Sequence, residues 1–209
     1  MRACSPSTSL RVTLEGTLER SGQWSNRVPR VPQIDYDSAP PEVREAHDDH
    51  IRRHARITNM KRTLLNSLPA FQALMEWYPL RDTIQPFLGA RLTVLFAHAI
   101  SAETDCLICS TFFRRMLIED GEDPDRLELN DREAAVVEFG RRLAVSPFRV
   151  PAAVYDRVAA HFDPAQMTAL TAFGAIMVAT NVFNNALEVE LDEYLHPYRR
   201  EPAGSGHAG

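Results

Sequence analysis

An uncharged segment near the carboxyl end of the chain limits the choice of fold more than any other stretch. No residue from Ala165 to Leu187 carries a charge, so by length alone the segment could span a bilayer as a helix. Asparagines at positions 181, 184 and 185, several threonines and many small residues make it too polar for an isolated membrane span. We therefore expect a buried helix that packs between the core and a neighbouring subunit, and no membrane association. The asparagines share one face, where they could bond to other parts of the chain or to a ligand.

Start and stop signals predict several further helices. Asp163 followed by Pro164 is a strong helix start, and Asn130 with Glu133 three residues later forms a second one. We also expect one helix from Leu64 to Tyr78 and another that runs through Leu88 to Ala99. With no repeat and no convincing strand pattern, the fold class predicted is all-α, an orthogonal bundle of seven or eight helices.

The length of 209 residues suits a single domain. We expect a disordered arm at residues 1–30, a helical domain at residues 31–195 and a disordered tail at residues 196–209. The net charge of -5 argues against nucleic acid as a partner. The chain has three cysteines and no apolar leader, which predicts a cytoplasmic protein with reduced thiols. Lys61 is the only lysine among 23 basic residues, and we read this bias as genome composition.

Cys106 and Cys109 form a CxxC motif between two helical patterns, and they predict redox chemistry. On a helix the two thiols lie about one turn apart, so they can pass between dithiol and disulfide without unfolding the chain. A thiol in the first helical turn also has a lowered pKa, because unpaired N–H groups stabilise the thiolate. Structural zinc needs four ligands and the only other cysteine is the distant Cys4, so no metal is expected. Two inert core cysteines remain an alternative.

The run VLFAHAISAETDCLICSTFF, with Gly121 and Asp123-Pro124 after it, resembles the core of the carboxymuconolactone decarboxylase and alkyl hydroperoxidase D-like superfamily. The similarity extends loosely from Val31 to Leu195. It implies a homo-oligomer, a trimer or hexamer, that works without a metal or organic cofactor. It also implies an external thiol electron donor and a small-molecule peroxide or lactone as substrate.

In the peroxidase branch of this superfamily, a glutamate twelve residues before the first cysteine and a histidine four after the second relay protons to the thiols. The matching positions here are Val94 and Phe113, neither of which can move a proton. His98, eight residues before Cys106, is the nearest replacement as a base, although a buried structural histidine would have the same apolar neighbours. Because Cys106 lies nearer the helix start, we hypothesise that Cys106 has the lower pKa and attacks.

Three functions follow from these observations. The leading one is a thiol-dependent peroxidase or disulfide reductase that uses Cys106 and Cys109, with His98 as a proton acceptor. The second, implied by the other branch of the resemblance, is a lyase acting on a small lactone, for which Arg91, His98 and Arg114 are available. The third is a non-catalytic helical oligomer with structural thiols. A row of histidines at positions 47, 50 and 54 is interpreted as a solvated face, because nearby arginines would repel a metal ion.

Overall fold

A computed structural model describes residues 28–146 and 148–200. Within these ranges the chain is all-helical and contains no strand, which confirms the predicted fold class. The described part has nine α-helices rather than the seven or eight expected, and a short 3-10 helix, Glu193–Tyr198, follows them. The α-helices are α1 Pro41–His54, α2 Asn59–Leu64, α3 Leu68–Met75, α4 Trp77–Leu88, α5 Ala90–Glu103, α6 Leu107–Glu119, α7 Asp131–Ala144, α8 Ala152–Ala159 and α9 Pro164–Leu187.

The capping signals place helix ends correctly. Asn130 and Glu133 exchange side-chain to backbone hydrogen bonds of 3.0 Å at the start of α7. Asp163 and Gln166 do the same at the start of α9, with bonds of 2.8 and 3.0 Å. Each pair satisfies two backbone N–H groups that have no partner within the helix. The end of α6 is likewise closed at Gly121, whose φ of 84° suits glycine.

Two predicted helices are in fact divided. The segment from Leu64 to Tyr78 contributes to α2, α3 and α4, because Pro69 lacks an N–H group and takes a place in the first turn of α3 instead of a helix interior. The next predicted helix breaks at Gly89, whose φ of 84° ends α4 and allows α5 to leave in a new direction.

The predicted arm and tail lie mainly outside the described residues. At the inner end of the arm, the backbone N–H of Arg30 donates to the carbonyl of Leu187 at 3.0 Å, and its guanidinium pairs with Glu188. At the inner end of the tail, the 3-10 helix continues to Tyr198, three residues past the predicted boundary. The packed part of the chain therefore extends slightly beyond both limits.

Helix α5 lies at the centre of the bundle. Nine of its fourteen residues are buried, and it packs against α4, α6, α7 and α9. The ring of Phe96 is fully buried and stacks on Phe139 of α7 and Phe173 of α9, with centroid distances of 6.3 and 6.2 Å. These contacts hold three helices around one aromatic side chain.

Within the described residues, α9 is the one helix long and apolar enough to cross a membrane. It contacts α3, α4, α5 and α7, and its large side chains Phe173 and Met177 are buried in the core. A core helix of a soluble protein has these properties, so α9 belongs to the helical domain.

Replacing Gly140 by alanine should destabilise the fold. A Cβ at this position would lie 2.8 Å from Cδ2 of Phe96, whose ring is fixed between two other rings. The overpacking should outweigh the gain in helix propensity and lower the free energy of unfolding by about 1 to 2 kcal/mol, measured by urea titration. Gly174→Ala is the comparison, since its Cβ would meet the movable end of Leu143 at 2.4 Å and the Phe96 ring only at 3.2 Å, so it should cost less; an equal loss in both variants would contradict this account.

Candidate redox site

The CxxC motif lies at the corner where α5 turns into α6. Thr104 and Asp105 form the turn, and Asp105 has a left-handed backbone with a φ of 52°. Cys106 is the N-cap residue of α6, and its N–H donates to the carbonyl of Ser101 at 3.1 Å. Asp105 precedes the cap position, so Cys106 itself meets the first-turn N–H groups.

Asparagines of α9 hold this corner in place. The Asn184 amide donates to Sγ of Cys109 at 3.3 Å and to Sγ of Cys106 at 3.8 Å. Two further amides bind the turn through Thr104. Asn181 Nδ2 donates to Oγ1 of Thr104 at 2.8 Å, and Asn185 Nδ2 donates to the backbone carbonyl of Thr104 at 2.9 Å. Asn181 and Asn185 are therefore structural, whereas Asn184 touches the reactive sulfur atoms.

Both cysteines are free thiols, and they are electrostatically unequal. A hydrogen bond from the Cys109 thiol lowers the pKa of Cys106, and backbone N–H groups at the helix start and the Asn184 amide act in the same direction against the effect of burial. The same thiol–thiol bond and burial raise the pKa of Cys109 well above its usual range. Cys106 is thus the first of the two thiols to lose its proton. This order agrees with the hypothesis from the sequence that Cys106 has the lower pKa.

Only Cys109 reaches a cavity. The side chain of Cys106 is fully buried, whereas Cys109 is 7% exposed and lines a cavity of about 100 Å³. Aromatic rings from three parts of the chain form much of its wall: Trp77, Tyr78, Phe112, Phe113 and Tyr194. Phe113, at the relay histidine position, makes this wall apolar. A small apolar molecule bound here would meet the sulfur of Cys109.

A second cavity, of about 350 Å³, lies against Asn184 and the 3-10 helix. Its lining includes Glu190, His196 and Arg199, so it is more polar than the first cavity. Neither cysteine lines it. Of these two cavities, the aromatic one is therefore the one that a thiol lines.

Among the described residues no hydrogen bond links His98 to either thiol, whose side-chain partner is Asn184. Burial and the positive charge of Arg114 lower the pKa of His98 to about 4, with Asp125 acting in the opposite direction. His98 lines neither of the cavities beside the motif. Its surroundings therefore give no support to the predicted role as proton acceptor for Cys106. Val94 is buried in the apolar core.

The cationic residues considered for a lactone substrate are engaged elsewhere. Arg91 pairs with Glu122 at 2.8 Å and also with Glu133, and this cluster fastens α5 to the segment that precedes α7. Arg114 pairs with Asp125 at 2.8 Å. Both guanidinium groups serve as structural ion pairs, so they do not assemble a carboxylate-binding site.

The histidine row of α1 forms no metal site. His47 bonds to Asp48 at 2.9 Å, whereas the rings of His50 and His54 lie against Tyr78. No group of three potential metal-ligating side chains occurs in the part of the chain that the structure describes. His54 stacks on Tyr78 at 3.6 Å, so these side chains pack behind the cavity rather than in solvent.

Sequence reasoning missed Lys61 and left Asn184 undecided. Lys61 Nζ donates to Oη of Tyr78 at 2.7 Å, and both residues line the cavity with Cys109. The asparagine spacing on an uncharged helix was a usable signal for Asn184. The solitary lysine was a signal too, but it was attributed to composition.

No family model matches the sequence, and no curated protein is detectably similar to it. Solved structures do resemble the fold. The debrominase Bmp8 superposes with a TM-score of 0.67 at 15% identity, covering 80% of this chain and 95% of that one. A cysteine-to-alanine variant of Bmp8, in complex with 2,3,4-tribromopyrrole, superposes with a TM-score of 0.67 at 14% identity. The superposition covers 82% of this chain and 96% of that one.

A third similar structure is the alkylhydroperoxidase AhpD core of an uncharacterized peroxidase-related protein from Ralstonia eutropha JMP134. Its TM-score is 0.64 at 16% identity, and the superposition covers 82% of this chain and 96% of that one. Sequence identities this low support a similarity of fold and nothing more. The chain therefore has the alkyl hydroperoxidase D-like helical fold that the CxxC segment suggested.

Proposed function

We propose that the protein is a thiol-dependent oxidoreductase whose Cys106–Cys109 dithiol reduces a small peroxide. The observation that carries the proposal is the position of Cys109 in the wall of an aromatic cavity, with Cys106 beside it as its proton acceptor. An external dithiol would reduce the resulting disulfide. Reduced thiols of this kind suit a cytoplasmic protein.

The unequal thiols assign a role to each sulfur. Once Cys106 has lost its proton, the remaining proton of the pair is held by Cys109 and shared with the Cys106 thiolate. When Cys109 attacks, this proton passes to Cys106, so Cys106 replaces the base that Val94 and Phe113 cannot provide. The hypothesis that Cys106 itself attacks is revised accordingly, because its sulfur is enclosed.

The reaction balances without a cofactor. The Cys109 thiolate attacks the outer peroxide oxygen, the O–O bond breaks, and the alkoxide takes the proton from Cys106 to leave as an alcohol. The Cys106 thiolate then attacks the Cys109 sulfenic acid and expels hydroxide, which forms the disulfide. Reduction by an external dithiol restores both thiols, so one peroxide consumes one dithiol.

Cleavage of a carbon–halogen bond is a second candidate reaction. The same two electrons would replace a ring halogen by hydrogen and release halide, and a debrominase shares this fold. The aromatic lining of the cavity beside Cys109 is the observation that favours it. The lactone lyase has no comparable support, since Arg91 and Arg114 are both paired with carboxylates.

Cumene hydroperoxide consumption should depend on both an added dithiol and the two cysteines. Cys106→Ser and Cys109→Ser should each lose activity by at least about 10²-fold, because each removes one of the two thiols that form the disulfide. Without the histidine relay, the wild-type rate should be about 10² to 10⁴-fold below that of relay-bearing proteins. Equal rates in wild type and both variants would exclude the peroxidase reaction.

Asn184→Leu should slow thiol alkylation by iodoacetamide at neutral pH by about 10-fold, because the thiolate pair loses a charge-assisted hydrogen bond. The rate should fall rather than rise, because the Asn184 amide lowers the pKa of both thiols and the variant loses this effect. Asn185→Leu is the matched control, since this residue bonds only to Thr104. His98→Ala should also leave the rate unchanged, and a slower rate in His98→Ala would restore the histidine as the base.

We further propose that the chain forms a homo-oligomer, a trimer or hexamer, through the outer face of α9. Ala175, Ala179, Val182 and Ala186 are exposed along this face, and Val182 is 55% exposed. Small side chains would let a helix of a second copy approach closely. The oligomer would cover the apolar side of α9 that the monomer leaves open to water.

Val182→Arg should shift the mass measured by light scattering towards the 23.5 kDa monomer, because a buried guanidinium would disrupt an apolar interface. Tyr155→Arg, at a similarly exposed aromatic residue on α8, should leave the mass unchanged. A wild-type mass of 23.5 kDa at micromolar concentration would exclude the oligomer.

A further inference from the structure

Lys61 places a cation at the cavity that Cys109 lines. The residue lies in α2, and its Nζ donates to Oη of Tyr78 in α4 at 2.7 Å. Both side chains belong to the cavity wall, together with Trp77 and Phe112. The cavity therefore combines an apolar aromatic surface with one amine, and the carboxylate of Asp192 also belongs to its wall.

The hydrogen-bonding capacity of this amine is largely unused. An ammonium group has three donors, and Tyr78 accepts one of them. Among the described residues no carboxylate forms an ion pair with Lys61; Asp192 acts on it only at longer range. The Oδ1 atom of Asp192 instead accepts from the backbone N–H of Asn59 at 2.9 Å. The ammonium group of this half-buried lysine therefore has no direct ion pair, and a bound anion would supply one.

The choice of lysine at this position also needs a reason. Lys61 is the one lysine among the 23 lysine and arginine residues of the chain, and all the rest are arginines. A guanidinium is broad and planar, whereas an ammonium is a compact point charge on a flexible stem. In a cavity of about 100 Å³, the smaller group leaves room for a ligand beside it.

We propose that this cavity binds small ring or unsaturated compounds that carry one anionic oxygen, with that oxygen on Lys61 and the apolar body against Trp77 and Phe112. The proposal rests on the proposed thiol chemistry and specifies its substrate class. The anion would fix the orientation of the substrate, and the reducible bond would then face Cys109. The volume limits the ligand to a single ring or a short chain.

The charge state of Lys61 makes binding sensitive to pH. Burial lowers the pKa of Lys61 to about 8, and Asp192 partly opposes the shift. The other titratable groups near it are His50 and His54, whose pKa values are lowered, the phenols of Tyr78 and Tyr194, whose pKa values are raised, and Asp192, whose pKa is raised by burial. The two histidines and the two phenols stay neutral around pH 8, so the lysine is the group that titrates there. The affinity for an anion should therefore fall as pH rises through about 8.

Benzoate and benzamide test the proposal as a matched pair, because they have the same shape and differ in charge. Calorimetry on the reduced full-length protein should show tighter binding of benzoate near pH 7. Lys61→Met should weaken benzoate binding by about 10- to 100-fold and leave benzamide binding close to the wild-type value. Lys61→Arg should keep the preference for benzoate, without the loss of affinity through pH 8.

The pH series on the wild-type protein supports or overturns the proposal even if a variant does not fold. Lys61→Met should nevertheless keep or raise the thermal midpoint, because it removes a buried charge. Equal affinities for benzoate and benzamide, no binding of either compound, or a benzoate affinity that does not change through pH 8 would each overturn the proposal. Neither probe is turned over, so failure here is distinguishable from failure of the peroxide assay.

Discussion

The hydrogen bonds between the α9 asparagines and the α5–α6 corner are the interaction on which the site depends. Asn181 and Asn185 bind both the side chain and the backbone of Thr104, and Asn184 lies between them against the two sulfur atoms. Buried amides of this kind are unfavourable unless they are bonded, so the pairing fixes the position of α9 relative to the corner. The aromatic packing around Phe96 then holds the rest of α9 to α5 and α7. Helix packing and thiol chemistry thus share the same contacts.

The sequence predicts most of the fold because helix ends are determined locally. The Asn130–Glu133 and Asp163–Gln166 pairs act within four residues, so their effect can be read without knowledge of the tertiary structure. The breaks around Pro69 and Gly89 were missed for a different reason. The apolar pattern continues across both positions, and it reports which residues are buried but not where the backbone turns.

The site was predictable only in part. The spacing of Cys106 and Cys109 identifies the reactive pair, since the motif itself carries that information. Its surroundings depend on which distant side chains the fold brings together, and neighbours in sequence are a poor guide to them. His98 lies eight residues from Cys106 and yet faces Arg114 and Asp125, whereas Asn184 is 75 residues from Cys109 and bonds to it. Lys61 could not be assigned to the cavity from the sequence for the same reason.

The separation between Asn184 and the thiols also affects the order in which a newly made chain acquires its chemistry. Contacts between such distant positions form late in folding, because a long loop must close first. During synthesis the CxxC segment leaves the ribosome well before α9, so its cysteines at first lack the amide that holds them and the helix that covers them. In that interval they behave as ordinary solvent-exposed thiols. A reducing environment during that interval would keep both thiols free until α9 has docked on them.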